Sequence, residues 1–213
     1  MSLYLLLITQ NAAFQWFLQN WLECFGVVSS LLYIYLEIKQ RSSLWIVGII
    51  SSVVFVIVFY QREFYAFSAL YIYYVVVSIY GIYCWHFAQK SNNNSITELP
   101  IKRLNLKLGI VLAAVSIVLF LSIGYVLDNF VETHYIPPYY EALATSLSFV
   151  ATWMLAHKIL EQWLLWIFVN FFSSVLYFWG GLYPTSGLFV VYGFMSIVGL
   201  YKWKQSFNKA LKT

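Results

Sequence analysis

The side chains that could do chemistry in this sequence are neutral and aromatic. Between Gln162 and Gly180 an apolar stretch carries Trp163, Trp166, Asn170, Ser173 and Tyr177 at i, i+3, i+7, i+10 and i+14, which places them on one face of a helix. Tyr71, Tyr74 and Ser78 repeat the first steps of that spacing, and so do Phe189, Tyr192 and Ser196. Ser51 and Ser52 sit mid-way along another apolar run, Thr145, Ser148 and Thr152 form a stripe, and Tyr33 and Glu37 lie one turn apart. Aromatic faces with a few hydroxyls and one amide suit a flat ring, above all a cationic one, because a desolvated cation–π contact is worth about 2 kcal/mol or more. No nucleophile–base pair, phosphate loop or metal-ligand spacing stands beside them. His86, His134 and His157 fall in or near different loops. Cys24 and Cys84 belong to opposite ends of helices, about 30 Å apart across a bilayer core and beyond disulfide reach. The pattern reads as a binding site for a small molecule, with no catalysis and no cofactor.

The elements that must position these residues are membrane helices. The chain has 213 residues, 62% hydrophobic and 9% charged, with a mean hydropathy of +0.76. Soluble domains run at about 45–50% apolar and about 25% charged, so an ordinary soluble enzyme, a disulfide scaffold and a disordered chain are excluded. Spanning helices need about 20 apolar residues each. Seven segments qualify: Trp21–Ile38, Leu44–Tyr60, Phe64–Phe87, Leu108–Leu127, Tyr139–Ala156, Gln162–Gly180 and Tyr183–Tyr201. The linker Ser91–Glu98 reads as a solvated loop, and Pro137-Pro138 interrupts any helix running out of Asp128. Residues 1–20 lack a basic start for a secretory signal and are too polar to span, which suggests an interfacial helix or a frayed, flexible end.

The chain also contains itself twice. At a shift of 118 residues Glu23 meets Glu141, Trp45 meets Trp163, Tyr74 meets Tyr192, Ser78 meets Ser196, Gly81 meets Gly199 and Trp85 meets Trp203. The expected architecture is an all-α integral membrane protein. Two parallel three-helix repeats, 21–87 and 139–203, are joined by the linker and fourth helix of 88–138, and a basic tail follows at 204–213. Parallel repeats of this kind occur in secondary transporters that bind their cargo at the repeat interface. Eleven of the twelve Lys and Arg residues fall on the side reached by odd-numbered helices, and only Arg62 lies opposite. Since basic residues mark the cytoplasm, the N-terminus is expected outside and the C-terminus inside. The net charge of +4 is then a cytoplasmic rim and not a nucleic-acid face. Trp85, Trp203 and Tyr201 are assigned to interfacial belts, Gly81 and Gly199 to close packing. No Asp, Glu, Lys or Arg lies mid-membrane, so ion coupling, which uses such residues, is not expected.

Tyr60-Gln61…Tyr65-Ala66, the run Ser78-Ile79-Tyr80-Gly81-Ile82-Tyr83-Cys84-Trp85, and Glu161-Gln162-Trp163-Leu164-Leu165-Trp166 with Asn170 resemble the Pnu family of vitamin transporters. The resemblance covers residues 21–203. It implies a three-plus-one-plus-three helix fold, facilitated diffusion across a bacterial inner membrane, trapping of the vitamin by a cytoplasmic kinase, and a homo-oligomer, a trimer. The nicotinamide riboside branch has Asn, Gln and Asn where this chain has Ser51, Tyr71 and Ser78; Asn170 alone remains. Loss of amides disfavours a polyol-bearing cargo, so the departures point to the thiamine branch, with nicotinamide riboside as the alternative. A sugar facilitator of similar helix plan would want more amides and carboxylates in the cleft.

Overall fold

The computed structural model describes residues 25–61, 65–86, 99–130, 137–181 and 183–211, together with Gln15 and Trp21. Expectations for the remainder of 1–20, for Cys24, His134 and Ser91–Glu98 lie outside the described residues. Among the described residues seven long helices are present: α1 (Phe25–Ile38), α2 (Ser43–Gln61), α3 (Tyr65–His86), α4 (Leu106–Phe130), α5 (Pro138–Ala156), α6 (Gln162–Trp179) and α7 (Tyr183–Ala210). By length and composition alone α4, α6 and Ser186–Ala210 of α7 can cross a membrane, and α1, Ser43–Ile57 and Leu70–His86 are shorter apolar helices. Sequence placed the end of the last helix near Tyr201 and a tail beyond it. The helix instead continues to Ala210, because residues 202–210 contain neither Gly nor Pro and Trp203 is held in the core.

Contacts fix the relative direction of the helices. Along α3 and α5, the Tyr73 hydroxyl donates to the Phe149 carbonyl at 3.0 Å and Tyr80 Oη meets His157 Nε2 at 3.1 Å. One turn beyond Tyr80, the Trp85 indole donates to the Ala156 carbonyl at 3.1 Å. From the Tyr73–Phe149 contact to the Tyr80–His157 and Trp85–Ala156 contacts both chains move forward, so α3 and α5 run the same way. On the other side the Trp203 indole donates to the Glu37 carbonyl at 3.0 Å, and Gln40 Nε2 donates to Ser206 Oγ at 3.3 Å. Thus α1 and α7 also run together. Last-turn helix carbonyls have no partner within their own helix, and here indoles of the opposite repeat supply one at the ends of α1 and α5.

The repetition reaches the backbone. Gln40 and Lys158, which coincide at the 118-residue shift, both take positive φ, 55° and 51°. Each turns its chain sharply from one helix into the next, a conformation uncommon for residues other than glycine. Trp45 stands edge-on to Trp85 with centroids 5.6 Å apart, and Trp163 to Trp203 at 5.7 Å. Gly81 and Gly199 accept the faces of Trp45 and Trp163 so closely that a Cβ at either would lie 2.4 Å from ring carbon. This is the close packing expected of the two glycines. The belt assignment of Trp85 and Trp203 is corrected: both are buried, because their N–H groups bond carbonyls across the repeat interface. Tyr201 is exposed. The apolar core sits at this end of the bundle, where Leu44, Leu155 and Leu160 join the four tryptophans.

The linker before α4 docks on the second repeat through backbone and side-chain hydrogen bonds, and its Leu99 and Ile101 pack against the shared apolar core. Lys102 and the turn 158–160 exchange two backbone hydrogen bonds of 2.9 Å. Glu161 accepts from Arg103 Nε at 3.2 Å and from the Leu104 N–H at 2.7 Å. From there α4 packs along α5, with Gly124 under the Tyr139 ring, and leaves most of its surface exposed.

Candidate functional site

Two aromatic walls meet between the repeats. In the first, Tyr71 stands 5.7 Å from Tyr74, edge-on, and 5.0 Å from Phe55 of α2. In the second, Phe189 lies 4.9 Å from Tyr177 and 5.6 Å from Tyr192. The phenols of Tyr177 and Tyr192 are within electrostatic reach of Tyr71, and Tyr177 also of Tyr74. Tyr33 of α1 is within electrostatic reach of Tyr73, Tyr74 and Glu37. These tyrosines sit deep in the bundle and remain half-buried, as side chains lining a narrow cleft do. The helix periodicity explains the arrangement: residues three or four apart on α3, α6 and α7 share the faces that the parallel repeats turn toward each other.

Polar groups around the walls are small and mostly satisfied. Asn170 Nδ2 donates to Ser196 Oγ at 3.1 Å, and Ser196 Oγ donates to the Tyr192 carbonyl at 2.8 Å. Ser52 and Ser78 are buried, and Ser78 lies with the Tyr33 ring against Gly48. Two atoms in the neighbourhood lack a hydrogen bond of good geometry: Nε1 of Trp166 and the hydroxyl of Tyr192, which faces Ser30. A buried orphan donor costs about 1–3 kcal/mol, so both are suited to a solute acceptor.

The sequence-derived candidates therefore divide. Tyr33, Tyr71, Tyr74, Tyr177 and Tyr192 are brought together, with Asn170 and Ser196 bonded beside them. Glu37 stands at the Tyr33 end, where Oε1 accepts from Gln162 Nε2 at 3.0 Å. Trp163 belongs elsewhere: it is fully buried against Gly199 and Trp203, because the repeat equivalence with Trp45 makes it a packing residue. Ser51 is half-buried, and no hydrogen bond or ring contact joins it to the walls among the described residues. Ser148 and Thr152 turn their hydroxyls to the carbonyls of Ala144 and Ser148 in their own helix, which makes them packing positions. Sequence reasoning missed Phe55, Tyr73 and Gln162. Gln162 was detectable as a departure from the repeat, since its counterpart is Leu44. No metal-holding group of His, Cys, Asp and Glu occurs among the described residues. A separate groove of about 510 Å³ between α4, α5 and α6 is lined by residues such as Leu112, Ile117, Leu147 and Met154. It lies on the outside of the second repeat and does not include the tyrosine walls.

A duplicated all-helical bundle with parallel repeats and an uncharged aromatic cleft defines a membrane carrier. The chain belongs to the nicotinamide mononucleotide transporter family, whose profile matches residues 20–205. It is thus a multi-pass membrane protein of the Pnu group of vitamin transporters, not an enzyme and not a sugar facilitator. It is 27% identical over 211 residues to the nicotinamide riboside transporter PnuC of Escherichia coli (strain K12), covering 88% of this chain and 86% of the relative, and equally to that of Shigella flexneri. Its fold matches the crystal structure of the vitamin B3 transporter PnuC with a TM-score of 0.71 at 23% identity, covering 97% of this chain and 90% of the other.

Proposed function

We propose that this protein carries nicotinamide riboside into the cell by facilitated diffusion, the two repeats rocking about the tyrosine cleft to open it alternately to either side. The observation that carries the reading is the pair of facing tyrosine walls, with Glu37 at the Tyr33 end, Glu141 within electrostatic reach of Tyr177, and no Lys or Arg in electrostatic contact with the wall tyrosines among the described residues. The tyrosine rings and the Trp166 indole bind a pyridinium ring by cation–π contact, and the Asn170–Ser196 pair with the Tyr192 hydroxyl offers hydrogen bonds to carboxamide or ribose. The same lack of positive charge disfavours a phosphorylated cargo, since a buried phosphate wants Arg or Lys. A univalent cation needs no coupling ion, because the membrane potential supplies about 2.3 kcal/mol per 100 mV. The sequence ranked thiamine first; the relatives' named cargo reverses that order.

Thiamine is retained as the second reading on one observation. The cleft is rich in phenols, and its one mid-depth amide already donates to Ser196, which suits a thiazolium and a flat pyrimidine better than a ribose. The proposed binding set is Tyr33, Tyr71, Tyr74, Trp166, Asn170, Tyr177 and Tyr192, with Ser52, Ser78 and Ser196 behind them. The positive-inside count supports a cytoplasmic C-terminus in a bacterial inner membrane. The exposed apolar surface of α4 is available for contacts within a homo-oligomer. Calorimetric titration of the purified protein with nicotinamide riboside, thiamine and their phosphates tests the assignment. Binding of nicotinamide riboside with thiamine silent is expected; thiamine alone binding reverses the two readings, and neither binding removes both.

A further inference from the structure

Two pseudo-equivalent places between the repeats, Glu37 of α1 with Gln162 of α6 and its sister at Leu155 of α5 with Leu44 of α2, are not alike. At the first, Glu37 and Gln162 are hydrogen-bonded and buried, 4% and 0% exposed, with Tyr33 and Trp166 one turn deeper. The 118-residue shift turns these four residues into Leu155, Leu44, Ala151 and Gly48. Leu44 and Leu155 are fully buried in the same apolar core. The sister seam therefore demonstrates that leucines satisfy this fold at this place. A carboxylate and an amide buried there are costly and add nothing that packing requires.

The chemistry of the pair is one-sided. Glu37 has no cation within ion-pair distance among the described residues. Lys158, buried at the same end, lies over the Trp85 ring at 4.3 Å. Gln162 donates to the carboxylate, and its own Oε1 is buried without a partner. The pair thus offers a carboxylate and an unpartnered amide oxygen, acceptors that call for a cation or a donor. Tyr33, one turn before Glu37 on α1, is within electrostatic reach of Glu37 and of Tyr74 in the first wall, so this acceptor pair lies one helical turn from a residue of the cleft.

We propose that Glu37 and Gln162 form an inner station for the cationic ring, and that cargo leaves the cleft by the α1–α6 seam and not by its sister. The proposal rests on the reading of a cationic cargo and names the residue that selects for charge. In this structure the Glu37 carbonyl holds Trp203 of α7 and its carboxylate holds Gln162 of α6. Parting the seam breaks the Gln162 bond, and the arriving cation takes its place at the carboxylate.

The test uses the full chain in liposomes, with uptake of nicotinamide riboside and of its uncharged reduced form as probes. Glu37→Gln keeps shape and hydrogen bonding but removes the charge. It is expected to slow uptake of the cation by about tenfold or more, the scale of one lost charge contact, while uptake of the uncharged form changes little. The double variant E37L/Q162L copies the sister seam; it is expected to melt no lower than the unaltered protein and to show the same loss. Unchanged discrimination in Glu37→Gln, or an equal fall for both probes, overturns the proposal. Uptake of neither probe by the unaltered protein instead removes the cargo assignment, and this proposal with it.

Discussion

Gly199→Ala is the perturbation whose size the structure sets most directly. A Cβ at this position lies 2.4 Å from two ring carbons of Trp163 and 2.6 Å from a third. Carbon atoms pack at about 3.5–4.0 Å, so the indole must retreat by about 1 Å or more. It has little room to do so, because it is fully buried and stands edge-on to Trp203. Overpacking costs typically about 1–3 kcal/mol, and three ring atoms on a rigid neighbour favour the upper end. Alanine returns about 0.5–1 kcal/mol of helix preference over glycine, for a net loss of about 2 kcal/mol. At about 2–4 °C per kcal/mol for a chain of this size, the melting temperature should fall by about 4–8 °C. Thermal unfolding in detergent, followed by tryptophan fluorescence, reads this out. Gly81→Ala, which meets Trp45 at the same 2.4 Å, should fall by a similar amount. Gly187→Ala is the control: it lies in α7, is exposed, and a Cβ there has nothing within 4 Å. It should melt at or slightly above the unaltered protein. If Gly199→Ala and Gly187→Ala melt within about 1 °C of each other, against the several degrees expected, the tryptophan–glycine packing is not as described.

Further outcomes follow from single contacts. Trp203→Phe removes one hydrogen bond to the Glu37 carbonyl but keeps an aromatic ring, so about 0.5–1.5 kcal/mol should be lost; Trp203→Ala should lose about 3–5 kcal/mol, both measured by denaturation in mixed micelles. Arg103→Ala breaks only an ion pair whose arginine is 64% exposed, worth at most about 1 kcal/mol. Glu161→Ala also strands the Leu104 N–H and should cost measurably more in the same melt; equal losses would show that the linker is not docked through Glu161. Asn170→Ala should insert and melt nearly normally, since Ser196 keeps its bond to the Tyr192 carbonyl, yet bind nicotinamide riboside about tenfold or more weakly, the scale of one buried hydrogen bond. Normal binding in titration of both Asn170→Ala and Trp166→Ala would exclude them from the cleft.

Sequence alone determined the helices, the duplication and the like direction of the repeats, because these depend on short-range properties: apolar length, helical spacing and the parity of crossings. Asn170, Tyr71 and Tyr74 were legible for the same reason, being polar or amphipathic groups at mid-depth on one helical stripe. What only the tertiary structure decided is which aromatic residues face the cleft and which lock the ends. Trp163, Trp166 and Trp203 look alike along the chain. The glycine opposite Trp163 and the carbonyl opposite Trp203 make those two packing residues, although the Trp163 indole N–H, like that of Trp166, has no hydrogen-bond partner. Glu37 was visible one turn from Tyr33, but its partner Gln162 lies 125 positions away, and no local pattern links them. The two seams of the duplication differ because pairing across them is a property of contacts between repeats, which residue spacing within one helix does not encode.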